Sequence, residues 1–178
     1  MNIIGSLDTP SEGEAMVLGH SISLLTAKES AVLRNKSIGF IFQSYNLLPV
    51  YTVYENVEFA LLLQKISDEE RNKAVMDALE WVGLTDKAKS RPSQLSGGES
   101  QRVAIARAMV KRPDIVLADE PSANLDAKNS HTILQTMRRL NEELNTTFIF
   151  ATHDEKVMQY LKRIIYLEDG KVVKDSMI

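Results

Sequence analysis

Two uninterrupted apolar runs with a helical segment between them most constrain the fold of this 178-residue chain. The first run is Ile115–Ala118 and the second is Thr146–Thr152. Strands that are apolar without alternation are typical of parallel sheets, whose two faces are both covered by helices. The segment between the runs has helical spacing, and Asp126 is a candidate N-cap for it. A strand, a helix and a second strand in this order predict an α/β fold, with both strands buried on both faces of a parallel sheet.

The remaining segments extend this pattern. The β-rich run Ser37–Gln43 predicts a further strand, and residues 163–173 predict a hairpin. From Val53 onward the apolar spacing becomes helical. We therefore predict a single domain over residues 1–178, with a mostly helical subdomain over approximately residues 53–110 inserted between the strands.

Composition excludes several classes of protein. The chain has no cysteine, which excludes disulfides, thiolate zinc sites and thiol catalysis. Its net charge of −3 gives no electrostatic support for a nucleic-acid partner, and we expect none. No run in residues 1–178 approaches the ~18 apolar residues of a membrane span. Any contact with a membrane is therefore expected to come through a partner protein.

A serine and two glycines, Ser96-Gly97-Gly98, directly precede a predicted helix. The N-terminal amides of a helix attract anions, and glycine lets a phosphate approach the backbone closely. Taken alone, the triplet fits an ordinary serine N-cap with a flexible loop better than it fits a phosphate site. The surrounding sequence decides between these two interpretations.

Polar side chains follow each predicted strand. Asp119 and Glu120 end the run that begins at Ile115, Gln43 ends an earlier strand, and His153 follows the last one. Ligand sites of parallel sheets lie at the carboxyl ends of the strands. Two adjacent carboxylates there can hold Mg²⁺ through one and orient an attacking water through the other. Taken singly, each of these residues is more often structural or solvated.

The longer strings containing these residues resemble one family. Leu95–Ala108 (L-S-G-G-E-S-Q-R-V-A-I-A-R-A) resembles the signature motif and following helix of ATP-binding-cassette (ABC) ATPases. Asp119–Asp126 (D-E-P-S-A-N-L-D) resembles the Walker B segment and D-loop, while Gln43 and His153 match the Q-loop and H-loop positions. The strings F-I-F-Q-S-Y-N-L-L-P and D-E-P-S-A-N-L-D most resemble ATPase subunits of the lipoprotein-releasing and macrolide-export type.

The resemblance implies a P-loop-NTPase-like parallel sheet, ATP and Mg²⁺ as cofactors, and ATP hydrolysis coupled to transport. It also implies roles for individual residues. The implied catalytic residues are Glu120, His153 and Gln43. Contacts to the nucleotide are implied for Ser96, Gly97, Gly98, Glu99 and Asp126. Mg²⁺ binding is implied for Asp119 and Gln43.

The implied partners are a transmembrane permease and a second ATPase subunit, identical or different. The permease would dock on the Q-loop and helical subdomain, where Tyr45, Tyr51, Tyr54 and Phe59 could line a groove. The implied location is the cytoplasmic face of the inner membrane, peripheral through the permease. We interpret the basic set Arg102, Arg107, Lys111 and Arg112 as a solvated helix face.

One family motif has no match in residues 1–178. The phosphate-binding loop G-x-x-x-x-G-K-[ST] does not occur, and the only Gly-Lys pair is Gly170-Lys171. The segment Met1–Gly13 resembles the end of the helix that follows this loop in the family. The sequence therefore predicts an N-terminally incomplete sheet and a chain that is inactive alone.

Three explanations of this departure stay open. The chain is a truncated copy or gene remnant of an ordinary transporter ATPase, or it is a genuine short subunit. Family ATP sites are shared, so a short subunit could donate Ser96, Gly98 and Asp126 in trans to a complete ATPase. The third explanation is a DNA-repair-type ABC ATPase, but residues 1–178 contain none of the coiled-coil or zinc insertions of that group.

Overall fold

The structure, a computed structural model, describes residues 1–178. Strands and helices alternate through most of the chain. In order, the elements are β1 (Met16–Val17), β2 (His20–Ser21), α1 (Ala27–Ser37), β3 (Ile38–Ile41), α2 (Val53–Glu58), α3 (Asp68–Trp81), α4 (Gly97–Met109), β4 (Ile115–Asp119), α5 (Ala127–Leu144), β5 (Thr147–Ala151), α6 (Glu155–Met158), β6 (Arg163–Glu168) and β7 (Lys171–Met177).

Three parallel strands in the order β3-β4-β5 form the central sheet. Ile38 of β3 pairs with Ile115 of β4, and Asp119 at the end of β4 pairs with Ala151 of β5. Strands β1 and β2 form a separate antiparallel pair, as do β6 and β7. The predicted α/β fold with a parallel sheet is therefore confirmed.

The helix starts follow from local hydrogen bonding. Helices α1 to α4 each begin with a capping box, in which a serine or threonine accepts from a backbone N–H and a glutamate three residues later accepts in return. Asp126 caps α5, as the sequence predicted. Asn145 ends α5 in a left-handed conformation (φ 53°), which asparagine tolerates better than most residues.

Helix α4 lies at the centre of the molecule. It packs against α2, α3, α5 and β3. The larger core cluster therefore joins the helical region to one face of the sheet, with members such as Val57, Leu79, Ile105, Val116 and Met137 fully or almost fully buried. A smaller cluster on the other face includes Ile38 and Leu117 and lies under α1.

The prediction that both apolar strands are buried on both faces is wrong for one of them. Strand β4 has its three central residues, Val116–Ala118, buried. In β5, residues 148–151 are only half-buried and Thr147 is exposed. The reason is position, because β4 lies between two strands whereas β5 is an edge strand of the three-stranded sheet.

Candidate functional site

The parallel topology brings the predicted site residues from three strands to one edge of the sheet. Gln43 follows β3, Asp119 and Glu120 lie at the end of β4, and His153 follows β5. All three strands run in the same direction, so their carboxyl ends share this edge.

Glu120 is the most highly connected of these residues. Its backbone has φ +43°, a left-handed conformation that is uncommon for a residue other than glycine, and its N–H donates to the Ala151 carbonyl oxygen (2.9 Å). Its Oε1 accepts from the His153 N–H (3.1 Å) and contacts His153 Nδ1 (2.5 Å). Its Oε2 accepts from the Thr152 hydroxyl (3.0 Å). Since each carboxylate oxygen has two lone-pair sites, Oε2 can still accept from a water molecule.

Glu120 and His153 together line an open cavity of about 720 Å³ between the sheet edge, α5 and α6. The Glu120 side chain is 18% exposed, whereas that of His153 is 90% exposed. The pair therefore presents a solvent-accessible imidazole beside a largely shielded carboxyl group.

Ser96 forms the N-cap of α4 and lies at the surface. Its Oγ accepts from the Glu99 N–H (3.3 Å), and its own N–H donates to Glu99 Oε2 (2.8 Å). That second bond holds the pKa of Glu99 below its ordinary value. In the other three capping boxes the hydroxyl also donates to the glutamate. The Ser96 hydroxyl makes no bond of that geometry, but its interaction with the Glu99 carboxylate also contributes to the lowered pKa of Glu99.

Gly98, the buried glycine of the triplet, lies directly against the start of α5. A Cβ at this position would lie 2.6 Å from Asn129 Oδ1. Asn129 donates from its backbone N–H to Asp126 Oδ1 (2.9 Å) and from Nδ2 to Oδ2 (2.6 Å). These bonds, led by the one from the backbone N–H, lower the pKa of Asp126. The starts of α4 and α5 thus fit together only because residue 98 lacks a side chain.

Gln43 is exposed, and its backbone carbonyl oxygen accepts from Asn124 Nδ2 (3.0 Å). The side chains of Gln43 and Asp119 project into solvent and form no hydrogen bond within the chain. No group of three or more Asp, Glu or His side chains in residues 1–178 is arranged so that it could hold a metal ion by itself. Mg²⁺ is usually held by one or two protein carboxylates, with waters and phosphate oxygens completing six ligands. The exposed Asp119 carboxylate fits such a site.

The interpretation of the basic set on and after α4 as a solvated face is wrong for two of its members. Arg107 donates to the carbonyl oxygens of Asn46 (2.6 Å) and Tyr45 (2.7 Å), and burial lowers its pKa. Lys111 donates to the Arg34 carbonyl oxygen (2.6 Å), and burial lowers its pKa to about 8. The acceptors come from segments that precede α4 by tens of residues, so helical spacing alone gave no sign of these contacts.

Sequence reasoning also missed three residues that position the site: Thr152, Asn124 and Asn129. Thr152 is the last residue of the second apolar run, Asn124 lies inside the Asp119–Asp126 string, and Asn129 lies in the helix that follows it. A hydroxyl or amide beside a motif was the available signal, but it does not indicate which carboxylate or carbonyl is the partner.

The aromatic residues after β3 separate into two environments. The rings of Tyr51 and Phe59 pack against each other, with centroids 6.4 Å apart, and both are exposed. Exposed Val50, Leu62 and Leu63 lie in the same stretch of chain. Tyr45 instead lies against Gly97, with its hydroxyl 3.1 Å from where a Cβ would be. None of the helices is both long enough and apolar enough to span a membrane.

Comparison with known proteins assigns the family. A sequence model of the ABC transporter family matches residues 1–123. The chain therefore belongs to the ABC transporter family, as the motifs predicted, and the resemblance to its ATP-binding subunits is confirmed.

Among similar proteins, the lipoprotein-releasing system ATP-binding protein LolD of Pseudoalteromonas translucida is 44% identical over 99% of this chain and 76% of its own length. LolD of Bacteroides thetaiotaomicron is 41% identical over 98% of this chain and 80% of its own length. A solved dimeric structure of the ATP-binding cassette MJ0796, in a post-hydrolysis state bound to ADP and Pi, has a TM-score of 0.88 and 43% identity. The matched region covers 99% of this chain and 78% of the MJ0796 chain. MJ0796 is a protein of Methanocaldococcus jannaschii.

Proposed function

We propose that this chain is the ATP-binding subunit of a lipoprotein-releasing transporter, bound at the cytoplasmic face of the inner membrane through a permease. The proposal is supported by the similarity to two LolD proteins over nearly the whole chain. The single structural observation that carries it is the sheet edge where Glu120 contacts both Thr152 and His153. There Glu120 would orient the attacking water, and His153 and Gln43 would contact the terminal phosphate or sense its presence.

Asp119 would hold Mg²⁺ together with Gln43, and the signature residues would contact the nucleotide of a neighbouring subunit. The Ser96 side chain is exposed at the start of α4, and the first N–H groups of α4 have no partner within the helix. Asp126 would approach the same interface. The MJ0796 cassette, whose solved structures are dimeric, offers a precedent for such pairing.

As an alternative, we propose that residues 1–178 donate the signature motif in trans to a complete ATPase. In this arrangement Ser96, Gly97, Gly98 and Glu99 complete a site whose phosphate-binding loop lies on another polypeptide. Phosphoryl transfer depends on positioning and on charge stabilisation by backbone N–H groups and a lysine at the β- and γ-phosphates. The 178-residue chain has no segment with that spacing, so we expect it to hydrolyse ATP negligibly by itself.

The exposed apolar stretch from Val50 to Leu63 is the surface we propose for the permease. It combines the Tyr51–Phe59 pair with three exposed aliphatic side chains. Contiguous exposed apolar side chains on a protein of this size are typical of protein–protein contacts.

The trans arrangement is tested with a mixture. The partner is a complete family member whose own signature serine has been replaced by arginine, so that its homodimer cannot hydrolyse ATP. Adding the 178-residue chain is expected to restore hydrolysis, and Ser96→Arg in this chain is expected to abolish the gain. Ser93→Arg, at an exposed position just before the signature motif, is the matched control and should keep it.

Two outcomes would overturn these proposals. Equal hydrolysis with Ser96→Arg and with the unaltered chain would exclude donation in trans. ATP turnover by the 178-residue chain alone that disappears with Glu120→Gln would show that the chain forms a working site without a partner's phosphate-binding loop. Glu143→Gln, an exposed glutamate on α5, controls for the charge change.

A further inference from the structure

The loop that follows β3 has an unusual backbone. We refer to residues Gln43–Leu48 as the Gln43 loop. Tyr45 and Asn46 both have positive φ angles, 59° and 48°. Asparagine tolerates this region, but tyrosine adopts it rarely, and two consecutive left-handed residues need support from outside the loop. The Asn46 N–H also donates to the Ser44 carbonyl oxygen at 2.6 Å, which closes a tight three-residue turn around Tyr45.

Arg107 of α4 supplies this support. Its two terminal guanidinium nitrogens donate to consecutive carbonyl oxygens, those of Tyr45 (2.7 Å) and Asn46 (2.6 Å). The planar guanidinium fork suits two neighbouring acceptors, whereas the single ammonium of lysine cannot reproduce this geometry. Arg107 thus bonds to the two residues whose conformations are strained.

The Gln43 loop touches α4 at a second point. The Tyr45 hydroxyl lies against Gly97 in the first turn of the helix. Arg107 lies about 15 Å further along the same helix at 1.5 Å rise per residue. Asn124 holds the other end of the loop through the Gln43 carbonyl oxygen (3.0 Å). The loop is therefore fixed to α4 at two separated positions and to the segment after β4 at a third. Its last residue, Leu48, is held separately by two hydrogen bonds with the Asn56 side chain of α2.

We propose that Arg107 is a positioning residue that fastens the Gln43 loop to α4, so that Gln43 and the signature residues at the start of α4 move as one unit. Its relevance to ATP hydrolysis rests on the proposed function, but the mechanical link does not. Gln43 lies at the first residue of the loop, and Ser96–Gly98 lie where the Tyr45 ring meets the helix. One route between the two places runs through Tyr45, and it transmits a displacement while Arg107 holds the turn.

The first test measures amide hydrogen exchange in the full 178-residue chain. Arg107→Met is expected to speed exchange of the Tyr45 and Asn46 amides at least about tenfold, because charge-assisted bonds to their carbonyls are lost. Amides in the centre of α4 should keep their rates. Arg107→Lys should restore only part of the protection. Arg102→Met, on the same helix but without a hydrogen-bonded partner, should leave the loop unchanged.

The second test asks whether the loop and the helix start act together. Gly97→Ala places a methyl group 3.1 Å from the Tyr45 hydroxyl and is expected to speed exchange at Tyr45 and Asn46. In the Arg107→Met background the same change should have a clearly smaller effect, because the link is already broken. Independent effects of the two substitutions would overturn the proposal, as would unchanged loop exchange in Arg107→Met. Equal acceleration throughout α4 would also overturn it, since Arg107 would then have only a general structural role.

These measurements need no nucleotide and no partner, so they stand if the mixing experiment fails. In the mixture, Arg107→Met is expected to lower kcat with little change in KM for ATP. Unchanged kcat together with faster loop exchange would show that the link exists but that hydrolysis does not depend on it. That result would overturn the proposed role of Arg107 in hydrolysis.

Discussion

Replacing Lys111 by methionine removes a half-buried positive charge that destabilises the folded state by an amount that depends on pH. Lys111 donates to the Arg34 carbonyl oxygen at the end of α1, and burial lowers its pKa from 10.5 to about 8. The folded protein therefore holds this proton less tightly than the unfolded chain does. Between pH 8 and 10.5 the unfolded state binds more protons, so the stability contributed by this group must rise with pH across that window.

The size of the effect follows from the pKa. At 1.36 kcal/mol per pKa unit, the lowering corresponds to an upper limit of about 3 kcal/mol. Solvent still reaches part of the side chain, which reduces the expected gain to ~1–2 kcal/mol. Below pH 8 the charged lysine is costly in the folded state, and above pH 10.5 that cost has disappeared.

The assay is urea unfolding of the unaltered chain and of Lys111→Met at several pH values from 7 to 10.5. The difference between their free energies of unfolding cancels the titration of every other group. This difference is expected to be flat near pH 7 and to move in favour of the unaltered chain by ~1–2 kcal/mol as the pH rises. Lys28→Met, at an exposed position on α1, controls for the loss of a positive charge. A difference that stays constant with pH, or moves the other way, would refute the reasoning.

Two glycines give further predictions. Gly98→Ala places a Cβ 2.6 Å from Asn129 Oδ1 and should destabilise the protein by about 1–3 kcal/mol in urea unfolding. The loss should shrink in an Asn129→Ala background, and an undiminished loss would mean that the side chain at 129 is not the obstacle. Gly39→Ala places a Cβ 2.8 Å from the backbone carbonyl oxygen of Ala108, which cannot rotate away, and should also cost about 1–3 kcal/mol. Gly97→Ala, whose nearest neighbour is the end of a flexible tyrosine, should cost less than Gly39→Ala. Equal losses of stability in the two variants would show that the close approach of β3 to α4 is not what makes Gly39→Ala costly.

Local sequence signals predicted the elements well where the cause of the structure is local. Asp126 was predicted to cap the helix between the two apolar runs, and α5 spans Ala127–Leu144. The capping-box pattern Ser67-x-x-Glu70 likewise stands in the sequence at the start of α3. Both depend on hydrogen bonds within the first turn of a helix, and the sequence contains all the atoms involved.

Burial and long-range hydrogen bonding were predicted less well because their cause is not local. The apolar run of β5 resembles that of β4, but only β4 has a strand on each side. Arg107 has helical spacing like its neighbours, yet its acceptors lie 61 and 62 residues earlier in the chain. A side chain with such distant partners cannot be distinguished from a solvated one by periodicity. The positive φ of Glu120 likewise has no sequence signal, since glutamate has no preference for that conformation.

The register between β4 and β5 explains why the acidic and imidazole groups meet. Asp119 pairs with Ala151, so Glu120 and Thr152 are the next residues along each strand, and the Thr152 hydroxyl reaches Glu120 Oε2. Strands alternate their side chains with a period of two, so a slip of one residue would send these groups to opposite faces. The left-handed turn at Glu120 then directs its carboxylate toward the backbone and ring of His153. The geometry of the candidate site therefore depends on the pairing of two apolar strands as much as on the polar residues that follow them.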